Sequence, residues 1–139
     1  MPLKYRLIDH TADFGIHVFG ADAGELFKNA GTALFDVLTD LDPVEESHSR
    51  LITCHGQDWP DLMVNWLREL LYLWNGKQQL LKRAAIEYIS EYRLRATLFY
   101  DPYDPDRHAI REEIKAVTYH QIDVKKRSTG WESKIIFDV

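Results

Sequence analysis

The chain has 139 residues, a length typical of one domain, and its 45% hydrophobic and 28% charged content is that of a globular protein rather than a disordered one. A net charge of −5 argues against a free-standing nucleic-acid binder, so we expect no direct, stable binding of nucleic acid. The single cysteine, Cys54, excludes a disulfide scaffold. Because the sequence has neither a membrane-spanning apolar run nor a signal-peptide core, we expect a soluble, cytoplasmic protein.

The first third of the chain predicts a β-hairpin followed by a helix. Residues 3–8 and 14–19 have the length and apolar pattern of two short strands. Asp22, with Glu25 three residues later, has the pattern of a helix N-terminus, and Pro43 marks the region where this helix has ended. The predicted buried stripe recurs at helical spacing and comprises Leu26, Ala30, Ala33, Leu34, Val37 and Leu38.

The rest of the chain predicts a second helix and several strands. A strand is expected at residues 50–54, then a core helix that begins at Asp58 and ends at Asn75-Gly76. Residues 84–100 have a strand pattern, residues 101–108 form a loop with two prolines and three aspartates, and residues 113–124 and 131–139 form a hairpin. We therefore predict a single α+β domain over residues 1–139, with two main helices packed on a largely antiparallel sheet.

The connection Asp9-His10-Thr11-Ala12-Asp13 concentrates ionisable side chains between the first two strands. Asp and Thr in a turn commonly bond to nearby backbone amides, which is the structural explanation. The functional explanation is a metal site, because the last strand carries Asp138 and would complete the site if it lay beside the first hairpin. Clustered carboxylates repel each other without a cation, and hard oxygen ligands suit calcium, magnesium or manganese.

The segment at residues 112–120 is the third notable stretch. On a regular strand, Glu113, Lys115, Val117 and Tyr119 would share one face, and Ile114, Ala116, Thr118 and His120 the other. This pattern fits a half-exposed strand with a cross-strand ion pair. It fits equally a polar strip that borders a metal or touches a partner.

The sequence indicates no catalytic residues. It has neither a glycine-rich phosphate loop nor a Gly-x-Ser-x-Gly elbow, and its six histidines lack the spacing of zinc ligands. Cys54 and His55 make a poor nucleophile–base pair, since neighbouring residues on a strand point to opposite faces. A metal-dependent hydrolase using Asp9, His10 and Asp13 is therefore the weakest of the functions considered.

Taken together, three segments resemble the archease family. The resemblance rests on residues 9–13 followed by Gly15, on residues 113–120, and on the final Phe137-Asp138-Val139, and it extends through both predicted helices over essentially the whole chain. Phe14 stands where an aliphatic residue is more usual in the family, and Val139 where isoleucine is common. Neither difference alters an atom that would bind a metal.

The resemblance implies a small α+β protein that assists the RtcB-type RNA-splicing ligase in tRNA splicing. That ligase joins RNA ends using GTP and a divalent metal, and archease is understood to promote its guanylylation and its multiple turnover without being the ligase. The family's metal ligands correspond to Asp13, Asp138 and the C-terminal Val139. A chaperone-like modulator of tRNA-modifying enzymes with a purely structural metal is the alternative. We interpret five further residues as supporting the site or facing a partner: Asp9, His10, Glu113, Lys115 and His120.

Overall fold

The computed structural model describes residues 4–9 and 14–139. Its elements, in chain order, are β1 (Tyr5–Asp9), β2 (Phe14–Gly20), α1 (Ala23–Leu38), β3 (His48–His55), α2 (Trp59–Asn75), β4 (Gln79–Ile89), β5 (Arg93–Pro102), β6 (Ala116–Val117), β7 (Asp123–Arg127) and β8 (Gly130–Asp138).

The strands form two antiparallel sheets. The five-stranded sheet has the order β1-β2-β8-β6, with β7 also paired to β8, and the three-stranded sheet has the order β3-β5-β4. Side chains from both helices and both sheets contribute to one hydrophobic core. The predicted α+β class, with two helices packed on antiparallel strands, is confirmed, although the strands are divided between two sheets.

Both helices begin where the sequence predicts. Asp22 accepts a hydrogen bond of 2.8 Å from the Glu25 amide, and Asp58 accepts one of 2.9 Å from the Asp61 amide, so each carboxylate caps its helix. The helices are joined at their buried faces, where Nε1 of the fully buried Trp66 donates to the carbonyl of Phe27 at 2.8 Å.

The strand predicted over residues 84–100 is wrong as a single element, because the chain reverses within it. β4 and β5 form a hairpin, and the Ser90 amide donates to the Arg93 carbonyl across the turn at 2.8 Å. The alternation on the second half is confirmed, since Leu94, Ala96 and Leu98 are buried. β5 then continues to Pro102, two residues into the predicted loop.

The continuous strand predicted over residues 113–124 is also wrong. Only β6 and the start of β7 are strands there, and Gln121 adopts a left-handed backbone conformation with φ 52° in the turn between them. Ile114 and Val117 are both buried, although strict alternation would place them on opposite faces. The predicted hairpin with the last strand survives as β7 and β8.

Candidate metal centre

The strand register brings the last strand beside the first hairpin. Asp9 pairs with Phe14 across β1 and β2, and Phe14 pairs in turn with Phe137 across β2 and β8. The backbone of Asp9 therefore lies two strand spacings, about 10 Å, from β8. Asp138 follows Phe137 and lies at the same end of the sheet as the connection between β1 and β2. The last strand therefore lies beside the first hairpin, as the metal-site hypothesis requires.

Two oxygen donors lie at this end of β8. Asp138 is exposed and Val139 is half-buried against the core. No Lys, Arg or His among the described residues forms an ion pair with the Asp138 carboxylate. The Asp138 carboxylate and the Val139 carbonyl offer hard oxygen ligands. The donor set therefore fits calcium, magnesium or manganese rather than zinc.

Less is described of the other predicted site residues, which lie in the connection between β1 and β2. Asp13 and His10 lie outside the described residues, and for Asp9 the structure gives the backbone position at the end of β1. Within residues 4–9 and 14–139, no three His, Cys, Asp or Glu side chains are grouped so as to hold a metal ion. The proposed ligand set thus depends on Asp13, and its role stays a prediction.

The segment at residues 112–120 runs along the other side of β8. The Lys115 amide donates a hydrogen bond of 2.7 Å to the Asp138 carbonyl, and Ala116 is paired with Asp138 in the sheet. The side chains of Glu113, Lys115 and His120 are all exposed. The backbone of this segment at Lys115 and Ala116 therefore fixes the position of Asp138 at the end of β8.

Helix α2 holds this segment in place. Nδ2 of Asn75 donates to the Ile114 carbonyl at 3.0 Å, and Nε and Nη2 of Arg68 both lie 3.3 Å from the Val117 carbonyl. These side-chain contacts anchor the segment to α2 on both sides of its short pairing with β8. Neither anchoring residue is predictable from the sequence, because Asn75 has the pattern of a helix end and Arg68 belongs to no recognisable motif.

A polar contact extends this attachment to the start of α2. The Tyr119 hydroxyl donates to Oδ1 of Asp61 at 2.6 Å, and the Arg68 guanidinium lies 4.8 Å from the centre of the Tyr119 ring. The hydrogen bond from Tyr119, together with that from the Gln57 amide, lowers the pKa of Asp61, and the same bond raises the pKa of Tyr119. Asp61 thus acts as an ionised acceptor that fixes the Tyr119 ring.

Comparisons with known proteins cover nearly the whole chain. The sequence model of the archease protein family (MTH1598/TM1083) matches residues 5–139. The archease of Methanosarcina mazei is 34% identical over 140 aligned residues, covering 98% of this chain and 96% of the relative. The archease of Pyrococcus abyssi is 33% identical over 140 residues, covering 98% of this chain and 99% of the relative.

Two solved structures have the same fold. The solution structure of protein 1598 from Methanobacterium thermoautotrophicum gives a TM-score of 0.81 at 28% identity, covering 98% of this chain and 99% of that chain. The crystal structure of a Thermotoga maritima archease, described as a possible chaperone, gives a TM-score of 0.63 at 23% identity, covering 95% of this chain and 94% of that chain. At 23% identity, the similarity to the Thermotoga maritima structure is a similarity of fold alone.

The fold defines a small α+β protein whose five-stranded sheet carries Asp138 at the end of β8, beside the first hairpin. The chain belongs to the archease family. The family predicted from the sequence is confirmed, and the relatives are named as proteins or as a possible chaperone, not as catalysts. No helix in the described part of the chain is both long and apolar enough to cross a bilayer.

Proposed function

We propose that this protein is a metal-binding accessory protein that activates an RtcB-type RNA-splicing ligase. Family membership over residues 5–139 is the observation that carries the proposal. The structure adds a physical basis for the metal site, because the pairing of β2 with β8 brings Asp138 to the end of the first hairpin. The predicted ligand Asp13 directly precedes β2 in the sequence.

The metal would be held by oxygen atoms of Asp13, Asp138 and Val139. When bound, a divalent cation offsets the repulsion between these carboxylates and joins the hairpin connection to the end of β8. Of this chain's own residues, Lys115 holds the Asp138 backbone through its amide, and Glu113 and His120 present exposed side chains nearby. The metal either passes to the ligase or keeps this surface in the shape that the ligase binds.

Ligase turnover tests this function directly. Guanylylation of the ligase and the number of RNA joining events per ligase are measured with the wild-type protein, with Asp13→Ala and with Asp138→Ala. Asp106→Ala is the matched control, since it removes an exposed carboxylate from the loop after β5. We expect stimulation by the wild type and by the control, and a large loss with both metal-site variants. Full stimulation by both variants would show that ligase activation does not require the metal site.

A chaperone-like role is the second candidate, favoured by the description of the Thermotoga maritima relative as a possible chaperone. In that case the metal is purely structural, and the protein suppresses the aggregation of a tRNA-modifying enzyme. Light scattering of a heated tRNA-modifying enzyme, with and without the protein, measures this effect. Equal suppression by the wild type and Asp138→Ala, with no stimulation of the ligase, would favour the chaperone role.

A further inference from the structure

The two edge strands of the three-stranded sheet are built differently. β4 contains register shifts between Leu81 and Arg83 and between Ile86 and Tyr88, and such bulges discourage pairing with another chain. β3 pairs with β5 residue for residue along its described length, without a shift. Its sequence has neither proline nor glycine, and Arg50 is its only Lys, Arg, Asp or Glu. β3 therefore presents a regular edge that lacks the usual protection.

The hydrogen-bond pattern shows which backbone groups of this edge are open. The Gly56 amide donates to the Tyr92 carbonyl at 3.0 Å, which directs position 56 towards β5. In an antiparallel ladder this direction alternates, so the even-numbered residues of β3 bond to β5 and the odd-numbered residues point away. At the end of the strand, Nδ2 of Asn65 covers the outward His55 carbonyl at 2.8 Å.

Three residues of β3 keep unpaired outward backbone groups. None of their amides or carbonyls bonds to any part of the chain that the structure describes, and all three side chains are exposed. The edge thus offers three donors and three acceptors in a row, like the template on which a further strand adds. These residues are Ser49, Leu51 and Thr53.

We propose that β3 pairs antiparallel with β3 of a second copy of this chain, about a twofold axis at Leu51. In this register Leu51 faces Leu51 of the second copy, and Ser49 of each copy faces Thr53 of the other. Each of these three pairs exchanges two backbone hydrogen bonds, so all six open groups of each copy are satisfied. A twofold axis requires such self-complementarity, and the edge provides it.

The side chains favour the second copy over an unrelated strand. Leu51 is 47% exposed and would be covered by its own counterpart, while each Ser–Thr pair sets one hydroxyl against another. Arg50 lies opposite Ile52 of the second copy. The Arg50 side chains of the two copies therefore do not lie directly opposite each other, where like charges would repel. The dimer would contain a continuous six-stranded sheet, separate from the sheet that carries Asp138.

Sedimentation equilibrium tests the pairing over micromolar to submillimolar protein. We expect the wild type to form a dimer, and Leu51→Lys to remain monomeric because two lysines would face each other. Tyr88→Lys is the matched control, since it adds the same charge at an exposed position on the opposite edge, and it should dimerise like the wild type. A mixture of Leu51→Lys and Leu51→Glu should recover the dimer, because opposite charges then face each other.

Three outcomes for the separate proteins would overturn the proposal, and a fourth concerns the mixture. They are a monomeric wild type at every concentration, a Leu51→Lys variant that dimerises like the wild type, and a Tyr88→Lys variant that is also monomeric. If the mixture of Lys and Glu variants stays monomeric, the pairing through Leu51 is wrong.

A disulfide test checks the register independently. Ser49 and Thr53 of different copies would have Cα atoms about 5.5 Å apart, a distance that a disulfide spans. Within one strand they are four residues apart, about 13 Å, which a disulfide cannot span. We expect Ser49→Cys/Thr53→Cys to form a covalent dimer on mild oxidation, and Ser49→Cys alone to remain uncrosslinked. Absence of the covalent dimer in the double variant would contradict this register.

Discussion

The carboxylate of Asp101 lies 3.2 Å from Nε2 of His108, and both side chains are buried. Nδ1 of His108 accepts a hydrogen bond from the Asp104 amide at 3.0 Å, which holds the ring beside Asp101. Asp101 also accepts hydrogen bonds from the Ser47 hydroxyl at 2.7 Å and from Arg107 at 3.1 Å. These contacts fasten the loop that follows β5 to the segment that precedes β3.

Acid should therefore weaken the fold through Asp101. Burial alone would raise its pKa, but the hydrogen bonds from Ser47, Arg107 and the Glu45 amide outweigh burial and lower the pKa from 3.8 to about 2. A pKa lowered by folding stabilises the native state above the unfolded pKa, and this contribution is lost as the pH falls from about 4 to about 2. At 1.36 kcal/mol per unit, the contribution is about 2 kcal/mol.

Urea unfolding of the wild type and Asp101→Asn measures this contribution. We expect the variant to be about 2 kcal/mol less stable at neutral pH, with the difference shrinking as the pH approaches 2. Asp106→Asn, which alters an exposed carboxylate of the same loop, should differ little from the wild type at any pH. A wild-type advantage over Asp101→Asn that is constant with pH would contradict the assignment.

Asp138→Asn should abolish tight binding of a divalent cation without weakening the apo fold. The amide keeps the shape of the side chain but removes its charge, so we expect at least a tenfold loss of affinity for calcium or manganese by calorimetry. Asp138 is exposed, and in the presence of chelator the two proteins should agree within about 0.5 kcal/mol in free energy of unfolding. In excess metal only the wild type should gain stability. Equal affinities in the two proteins would exclude Asp138 as a ligand.

Trp66→Phe should loosen the contact between α1 and α2. The change removes the donor to the buried Phe27 carbonyl and part of a fully buried ring, and we expect a loss of about 3 kcal/mol in free energy of unfolding. Trp131→Phe is the control, since this half-buried ring contacts Trp59 at the edge of the core. Urea titrations that show equal losses for both variants would argue against a special contribution from the Trp66 hydrogen bond.

Cys54 should be inert in the native protein. Burial, reinforced by the nearby charge of Glu69, raises the pKa of its thiol to about 12, and the side chain is 4% exposed. We expect no modification by iodoacetamide at about pH 8 until urea unfolds the chain. Thr53→Cys provides the control, because its exposed thiol should react at once while Cys54 stays protected. Fast modification of Cys54 in the folded wild type would contradict its burial.

The parts of the fold that local signals specify could be predicted from the sequence. Asp22 and Asp58 cap their helices within three residues, and the apolar spacing that follows identifies the buried faces. The turn at residues 90–92 could not be predicted in this way, because its one turn-favouring residue is Ser90, a weaker turn signal than glycine, proline or asparagine.

The remaining differences come from contacts distant in sequence. The carbonyls of Ile114 and Val117 are held by Asn75 and Arg68 from α2, and regular strand pairing there is limited to the two residues of β6. Residues 101–108 have the composition of a solvated loop, yet Asp101 lies in β5 and is buried, because Ser47 and Arg107 satisfy its carboxylate. In the candidate site, the pairing of β2 with β8 was a condition of the metal-site hypothesis that the structure meets, and the ligand set came from the resemblance.

The position of β8 in the chain has a consequence for biosynthesis. β2 is among the first elements to leave the ribosome, but its neighbour β8 follows every other described strand in chain order. The β1–β2 hairpin must therefore wait, with one edge open, through the translation of both helices and the whole three-stranded sheet. Such long-range closure slows folding and lengthens the time in which an unpaired strand is exposed to aggregation. The nascent chain should consequently be most vulnerable just before β8 is made, and pulse proteolysis of stalled chains would locate that interval.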